Sequence, residues 1–170
     1  GGQWLAIAAE GGAITLWNLA DLSLHVTLPD HGSPAASMIF SPDDRWLAVG
    51  LRDGRVLVWD VDGQAVRYTL ADGHTDVVES LAFSPDGRLL ASGGRDWAIR
   101  LWDMTSGGSV GPALTGHTNR VLALAFDPAG TLLASGGQDE SILLWDVATR
   151  RVLGQPITTG AGWVTGLTFN

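Results

Sequence analysis

His74, Ser92 and Asp96 are the side-chain types of a nucleophilic hydrolase: a hydroxyl to attack, an imidazole to take its proton, and a carboxylate to orient the imidazole. The same three types return at the same spacing as His117, Ser135 and Asp139, and each set is followed by a tryptophan, Trp102 or Trp145. That recurrence argues against catalysis, because an active site is assembled once and not once per structural unit. The better reading is a structural one. Buried hydroxyl, imidazole, carboxylate and indole N–H groups must find hydrogen-bond partners, and these four can satisfy one another. No catalytic residue is therefore assigned.

The elements that must hold these residues are repeats. Trp17, Trp59, Trp102 and Trp145 recur every 42 or 43 residues, and Phe40, Phe83, Phe126 and Phe169 every 43. Residues 81–103 read LAFSPDGRLLASGGRDWAIRLWD, residues 124–146 read LAFDPAGTLLASGGQDESILLWD, and residues 38–60 read MIFSPDDRWLAVGLRDGRVLVWD. Residues 2–18, GQWLAIAAEGGAITLWN, join the pattern midway. The units run approximately over 1–40, 41–83, 84–126 and 127–170.

Within a unit the apolar residues alternate and the turn residues punctuate. In the third unit the pattern predicts strands over Val78–Ser84, Arg88–Gly93, Ile99–Asp103 and Val110–Thr115. Pro85-Asp86-Gly87 and Gly94-Arg95-Asp96 form the turns between the first three. The connections are too short for crossover helices, which excludes a parallel α/β sheet.

Composition agrees. All ten positive residues are arginine, fifteen of the eighteen acidic residues are aspartate, and there are 23 glycines and 7 prolines. Such a chain is poor in helix formers and rich in turn formers. With 45% hydrophobic residues it can build a core. The net charge of −8 argues against a nucleic-acid partner. The absence of cysteine excludes disulfides and thiolate metal sites. No apolar run approaches the ~20 residues of a membrane span, and no signal-peptide pattern is visible, so a cytoplasmic location is expected. The histidines fall one per repeat, with His25 alone in an outer strand, so no metal site is expected. No cofactor is implied, and there is no Walker-type phosphate loop.

Gly73-His74 and Gly116-His117, closed by Trp102-Asp103 and Trp145-Asp146, resemble the GH and WD dipeptides of the WD-repeat (WD40) β-propeller family. The SPDG turn, the LASG strand and the Asp six residues before the Trp recur at fixed offsets, and the resemblance spans the chain. It implies an all-β propeller of four four-stranded antiparallel blades, with each repeat giving one blade its outer strand and the next its three inner strands. It also implies a hydrogen-bonded tetrad in each full repeat: Asp to His, His to Ser, and Ser to the Trp indole. His31, Asp53 and Trp59 keep three members in the second unit, with Val49 where Ser is expected and Asp30 before the His. The first unit keeps Trp17 alone, with Ile7 and Gly11 at the Ser and Asp positions.

The family works mostly as platforms for protein or peptide partners, and its contacts concentrate on the face bearing the turns between second and third strands. The positions pointing there are the residue before the tetrad Asp (Arg52, Arg95, Gln138) and those three and five after the tetrad His. The latter are Pro34 and Ala36, Val77 and Glu79, then Arg120 and Leu122, with Trp163 and Thr165 last by phase. Glu10 fills the first turn position. Trp97, at the tip of the 94–98 turn, adds aromatic surface. Arginine and tryptophan are enriched in interface hot spots, so this face suits an acidic or extended peptide. Trp4 and Trp46 fall in a core phase shared with Leu89 and Leu132.

About seven blades are common in the family, each turning the ring by ~50°, so four cover little more than half. Three outcomes stand: two chains pairing as an eight-bladed ring that shares terminal strands, a segment of a longer propeller, or a strained four-blade ring. The whole-number repeat length favours the first. Gly-Pro-Ala-Leu-Thr-Gly-His and Gly-Gln-Pro-Ile-Thr resemble stretches of large bacterial WD-repeat signalling proteins. A propeller enzyme with a site in its central channel is the reading from another class.

Overall fold

The computed structural model describes residues 3–9, 12–71 and 73–170. They form four antiparallel sheets and no helix. The first sheet holds β1 (Trp4–Ala8), β2 (Ile14–Asn18) and β3 (Ser23–Thr27). The second holds β4 (Ala35–Phe40), β5 (Trp46–Leu51), β6 (Val56–Asp60) and β7 (Ala65–Leu70). The third holds β8 (Val78–Phe83), β9 (Leu89–Gly94) and β10 (Ile99–Asp103). In the fourth, β11 (Val121–Phe126) and β12 (Leu132–Gly137) lead to β13 (Ser141–Asp146), which pairs with two short strands, β14 (Arg151–Val152) and β15 (Ile157–Thr158). Strands recur with the sequence period, and a unit as bounded above is split between two sheets: residues 41–83 give β5, β6 and β7 to the second sheet and β8, the first strand, to the third.

The turns form for local reasons. In Ser84-Pro85-Asp86-Gly87 the Ser84 hydroxyl donates to Asp86 Oδ1 at 2.6 Å and accepts from the Leu89 N–H at 2.9 Å. Gly87 closes the turn at φ +69°, where a side chain is disfavoured. The second unit puts Asp44 in that place at φ +60°, as aspartate tolerates better than most residues.

Two expectations need correction. Residues 110–115 do not form a strand; the outer edge of the third blade is two isolated bridges, Ile99 to Leu114 and Trp102 to Ser109. Pro112 has no N–H for a ladder and Gly111 sits at φ +74° between the bridges. Gly154 and Pro156 split the outer edge of the fourth blade in the same way, whereas β7 has neither residue type and runs unbroken. Likewise, residues 163–170 form no ladder and, among the described residues, add no strand to β1. They lie instead against the fourth blade, where Val164 is buried and its N–H donates to Gly137 O at 3.0 Å. That seat repeats along the chain: Val78 packs on Gly50, Val121 on Gly93, and Val164 on Gly136, where a Cβ would collide with the valine.

Neighbouring blades bury alternate residues against one another, which is the main stabilising term. Ile14 and Leu16 pack with Leu47, Leu57 and Trp59; Val56, Val58 and Trp46 with Leu90 and Trp102; Ile99 and Leu101 with Leu133, Leu143 and Trp145. Trp46 is in the core and Trp4 packs at its margin. At the outer face of the first blade Leu5 and Ile7 are 46% and 45% exposed. They occupy the phase of Leu47 and Val49, which are buried one blade on.

Candidate functional site

The third and fourth blades each bring their four polar residues together. His74 Nδ1 is 2.9 Å from Asp96 Oδ1, its Nε2 is 2.8 Å from Ser92 Oγ, and the Trp102 indole N–H donates to the same Oγ at 2.9 Å. His117 Nδ1 is 2.9 Å from Asp139 Oδ2, its Nε2 is 2.8 Å from Ser135 Oγ, and Trp145 donates to that Oγ at 2.8 Å. The pattern sets the proton positions: with Oγ accepting the indole, the hydroxyl donates to His Nε2, and Nδ1–H donates to the carboxylate. Each aspartate also accepts the backbone N–H that follows the histidine, at Thr75 and Thr118.

These networks join the loop before a blade's first strand to its second and third strands. Ser92 and Ser135 are fully buried, and each hydroxyl is already committed in both directions. Neither hydroxyl can reach a substrate in this arrangement. Burial pushes the Asp96 carboxyl up, but the hydrogen bond from His74, with those from the Thr75 and Ala98 N–H groups, more than offsets it and holds it below the usual carboxylate range. Asp139 stands below that range as well: burial raises it, while Thr118, Ser141 and His117 outweigh the burial.

The second unit departs from this. His31, Asp53 and Trp59, expected to form three parts of a tetrad, are not brought together. Asp53 Oδ2 accepts instead from Arg55, at 2.6 Å from Nη2 and 2.9 Å from Nε, and Arg55 Nη2 also donates to the His31 carbonyl at 2.6 Å. Both ring nitrogens of His31 and the Trp59 Nε1 are buried without a partner among the described residues. The cause is chemical, since Val49 has no hydroxyl to link imidazole and indole. In the first unit the Trp17 indole donates to Thr15 Oγ1 at 3.2 Å, while Gly11, like Gly1, Gly2 and Glu10, lies outside the described residues. His25 is half-buried beside Trp4, with ring centroids 4.4 Å apart.

On the turn-bearing face, the residue before each tetrad Asp bonds through its backbone N–H to the carbonyl three after the His position, immediately before the blade's first strand. The pairs are Arg52 to Pro34, Arg95 to Val77 and Gln138 to Arg120, at 3.0, 2.9 and 2.8 Å. Arg52 is exposed, Arg120 and Gln138 are half-buried, and Trp163 is 62% exposed. Glu79, Leu122 and Thr165 come together along one open groove on the inner strands, of about 340 Å³. Two expected members differ. Val77 is buried and offers no contact surface. Arg95 is not a free cation, because its guanidinium is paired with Glu79.

Sequence reasoning passed over Arg55 and the backbone of Trp97. Trp97 is 52% exposed at φ +66°, in the turn position where the second unit has Gly54 at φ +89° and the fourth Glu140 at φ +61°. A bulky residue in the left-handed region is unfavourable, and the glycine at the matching position of the second unit was the available signal.

The WD domain, G-beta repeat family matches residues 22–60, 65–103 and 108–146. The chain belongs to the WD40 repeat family. A chain of a solved structure described as "Crystal Structure of Mitotic Checkpoint Complex" is similar to this one, with 32% sequence identity and a TM-score of 0.85, over 95% of this chain and 50% of that chain. This WD40 chain thus spans half the length of that match. WD40 propellers generally act as non-enzymatic scaffolds that bind protein partners, and the architecture here is that of a partial β-propeller. Among the described residues no group of three or more His, Asp or Glu stands together as a metal site, and no helix is long and apolar enough to cross a membrane.

Proposed function

We propose that this WD40 chain is a non-enzymatic docking platform whose turn-bearing face captures an extended, acidic segment of a partner protein. The observation that carries the reading is Trp97. A large apolar ring is held half in solvent on a backbone conformation that disfavours it, and strained exposed residues concentrate at functional sites. Arg52, Arg120 and Trp163 hold other positions of the same turn-bearing face in other repeats, and tryptophan and arginine are the residues that dominate interface energies. Both complete tetrads are sealed and account for their own polar groups, which supports tying strands rather than catalysis. Replacing Arg52 and Arg120 together should abolish partner capture with an unchanged melt, and retained capture would overturn the reading.

The proposal includes self-association, with a second copy as the occupant of the open blade faces. Leu5 and Ile7 repeat the phase of Leu47 and Val49, which pack against the first blade. Ile142 and Leu144 on the fourth blade repeat Val56 and Val58, which pack against the third. The two end faces therefore carry the two halves of the interface that joins blades inside the chain, and pairing them as an eight-bladed ring would cover both. The second reading is one segment of a longer propeller in a signalling protein; it is favoured by the matched chain being twice as long. A native mass measurement separates them: a dimer supports the ring and a monomer the segment. A cytoplasmic setting accords with a chain free of cysteine.

A further inference from the structure

We propose that a groove between the second and third blades binds a phosphate monoester carried on a side chain of a partner protein. The groove lies at the opposite end of the blades from the turn-bearing face, since Arg45 precedes β5 and Arg52 follows it. Arg45, Arg67 and Arg88 line it with Trp46, Met104 and Thr105, around a space of about 280 Å³. Among the described residues no carboxylate lines it. Three of the ten arginines of a chain with net charge −8 thus meet in one place. The repeat does not require this trio. The corresponding positions hold Gln3, His25 and Arg45 between the first and second blades, and Arg88, Val110 and Thr131 between the third and fourth. A feature of the scaffold returns with the repeat, as the strands do, whereas this set is complete at one junction.

The guanidiniums are open to a ligand. Among the described residues Arg45 and Arg67 make no ion pair. Arg88 Nε stands 4.0 Å from Asp86 Oδ2 with both side chains exposed, a geometry that holds little. The neighbouring acids serve their own turns: Asp43 Oδ1 and Asp86 Oδ1 accept from the Ser41 and Ser84 hydroxyls, each at 2.6 Å, and from the Arg45 and Arg88 backbone N–H groups. Two of the cations are braced. The Arg45 guanidinium lies 4.4 Å over the Trp46 ring and that of Arg67 5.2 Å over the Tyr68 ring. Trp46 is buried, and the Tyr68 hydroxyl donates to Thr105 O at 2.8 Å, tying its ring to the third blade. Stacking occupies a face of each guanidinium and leaves its N–H edge for an acceptor.

Chemistry selects the ligand. Guanidinium edges match phosphate oxygens bidentately, and a phosphorylated side chain brings roughly two negative charges and three acceptor oxygens. A nucleobase would need an open ring to stack on, and Trp46 is covered by Arg45. An anionic membrane is disfavoured by the net charge of −8. A phosphorylated side chain needs only a short cluster of arginines, and protein partners are what WD40 propellers generally bind.

The test is a titration of the whole chain with the capped peptide Ala-Ala-phosphoSer-Ala-Ala. It is followed at the arginine Nε–H resonances of a ¹H–¹⁵N spectrum, assigned with Arg45→Gln, Arg67→Gln and Arg88→Gln. Saturable shifts of Arg45 and Arg67 are expected, with none from the unphosphorylated peptide. Arg67→Gln/Arg88→Gln should bind at least tenfold more weakly with an unchanged melt, because both side chains are exposed. If that variant does not fold, Arg45→Gln decides, with a tenfold loss expected. Arg52→Gln/Arg120→Gln and Trp97→Ala, altered at the other end of the blades, should bind the peptide as the parent chain does, so failure of the turn-bearing face as a docking site leaves this one standing. The proposal is overturned by the absence of a saturable shift, by unchanged affinity in the folded double variant or in Arg45→Gln, or by loss of binding in Arg52→Gln/Arg120→Gln. It is equally overturned if inorganic phosphate binds as tightly as the peptide, or if phosphatidylcholine vesicles containing a phosphatidylinositol phosphate bind more tightly.

Discussion

Arg55 Nη2 sits 2.6 Å from Asp53 Oδ2, in the place where His74 meets Asp96 one blade later. The two aspartates occupy the same turn position and differ in what they hold. Asp53 and Arg55 are about one-third exposed, whereas the His74 side chain is fully buried and Asp96 nearly so. An exposed ion pair contributes ~0–1 kcal/mol. Removing the acceptor of a buried imidazole N–H costs ~1–3 kcal/mol. Asp96→Ala should therefore lower the urea midpoint distinctly more than Asp53→Ala does. Equal losses would mean that the sealed network is worth no more than a surface pair.

The carboxylates of the two sealed networks contribute to the acid sensitivity of the fold. Asp96 and Asp139 stand below the ordinary carboxylate value in the folded chain. A carboxylate depressed by folding stabilises the native state above its unfolded pKa, near ~3.9, and that contribution is lost as pH falls through the folded value. The melting temperature should accordingly be level in these groups from neutral pH to about 4 and fall below it. Asp96→Asn together with Asp139→Asn should start lower and show a shallower acid decline. A decline as steep as in the parent chain would assign acid unfolding to other groups.

The outer edges should differ in local stability. Strand β7 pairs with β6 from Val56↔Leu70 to Asp60↔Ala65, while the third blade keeps only the bridges at Ser109 and Leu114. Local opening is easiest where few backbone bonds must break together. Amides of residues 109–114 should exchange with deuterium well before those of 66–70, and comparable protection in both would count against the interrupted edge.

These contrasts separate what is legible in the sequence from what is not. Repeat length, strand alternation and the two complete tetrads could be read because identical residues return at identical offsets, and a fixed spacing carries a fixed geometry. The broken outer edge at 109–114 was missed because Val110 and Leu114 keep the alternation; Gly111 and Pro112 deny the ladder, and a backbone donor is not a hydrophobicity signal. The second blade was misread for a different reason. His31, Asp53 and Trp59 stand at the right offsets, but a network needs all its members, and Val49 removes the atom that links the other three. Arg55 then offered Asp53 a stronger partner, a competition that spacing does not reveal.

Trp97 offers the sharpest separation of stability from function. Its backbone is left-handed at φ +66°, and the turn is closed by the Trp97 N–H donating to Gly94 O at 3.2 Å. The matching position in the second unit holds Gly54 in the same region, so the turn geometry accepts glycine without a change of path. Relief of left-handed strain contributes ~1–2 kcal/mol, and the extra backbone freedom of an unfolded glycine offsets ~0.5–1 kcal/mol of that. The ring is 52% exposed, so little burial is forfeited. Trp97→Gly should therefore leave the chain as stable or slightly more stable in thermal unfolding, while partner capture on the turn-bearing face weakens at least tenfold. Trp97→Ala keeps the strain and loses the ring, so it should weaken capture equally and melt no higher than the parent chain. Capture retained in both variants would remove Trp97 from the docking face, and a large loss of stability in Trp97→Gly would instead make the ring a structural prop of the turn.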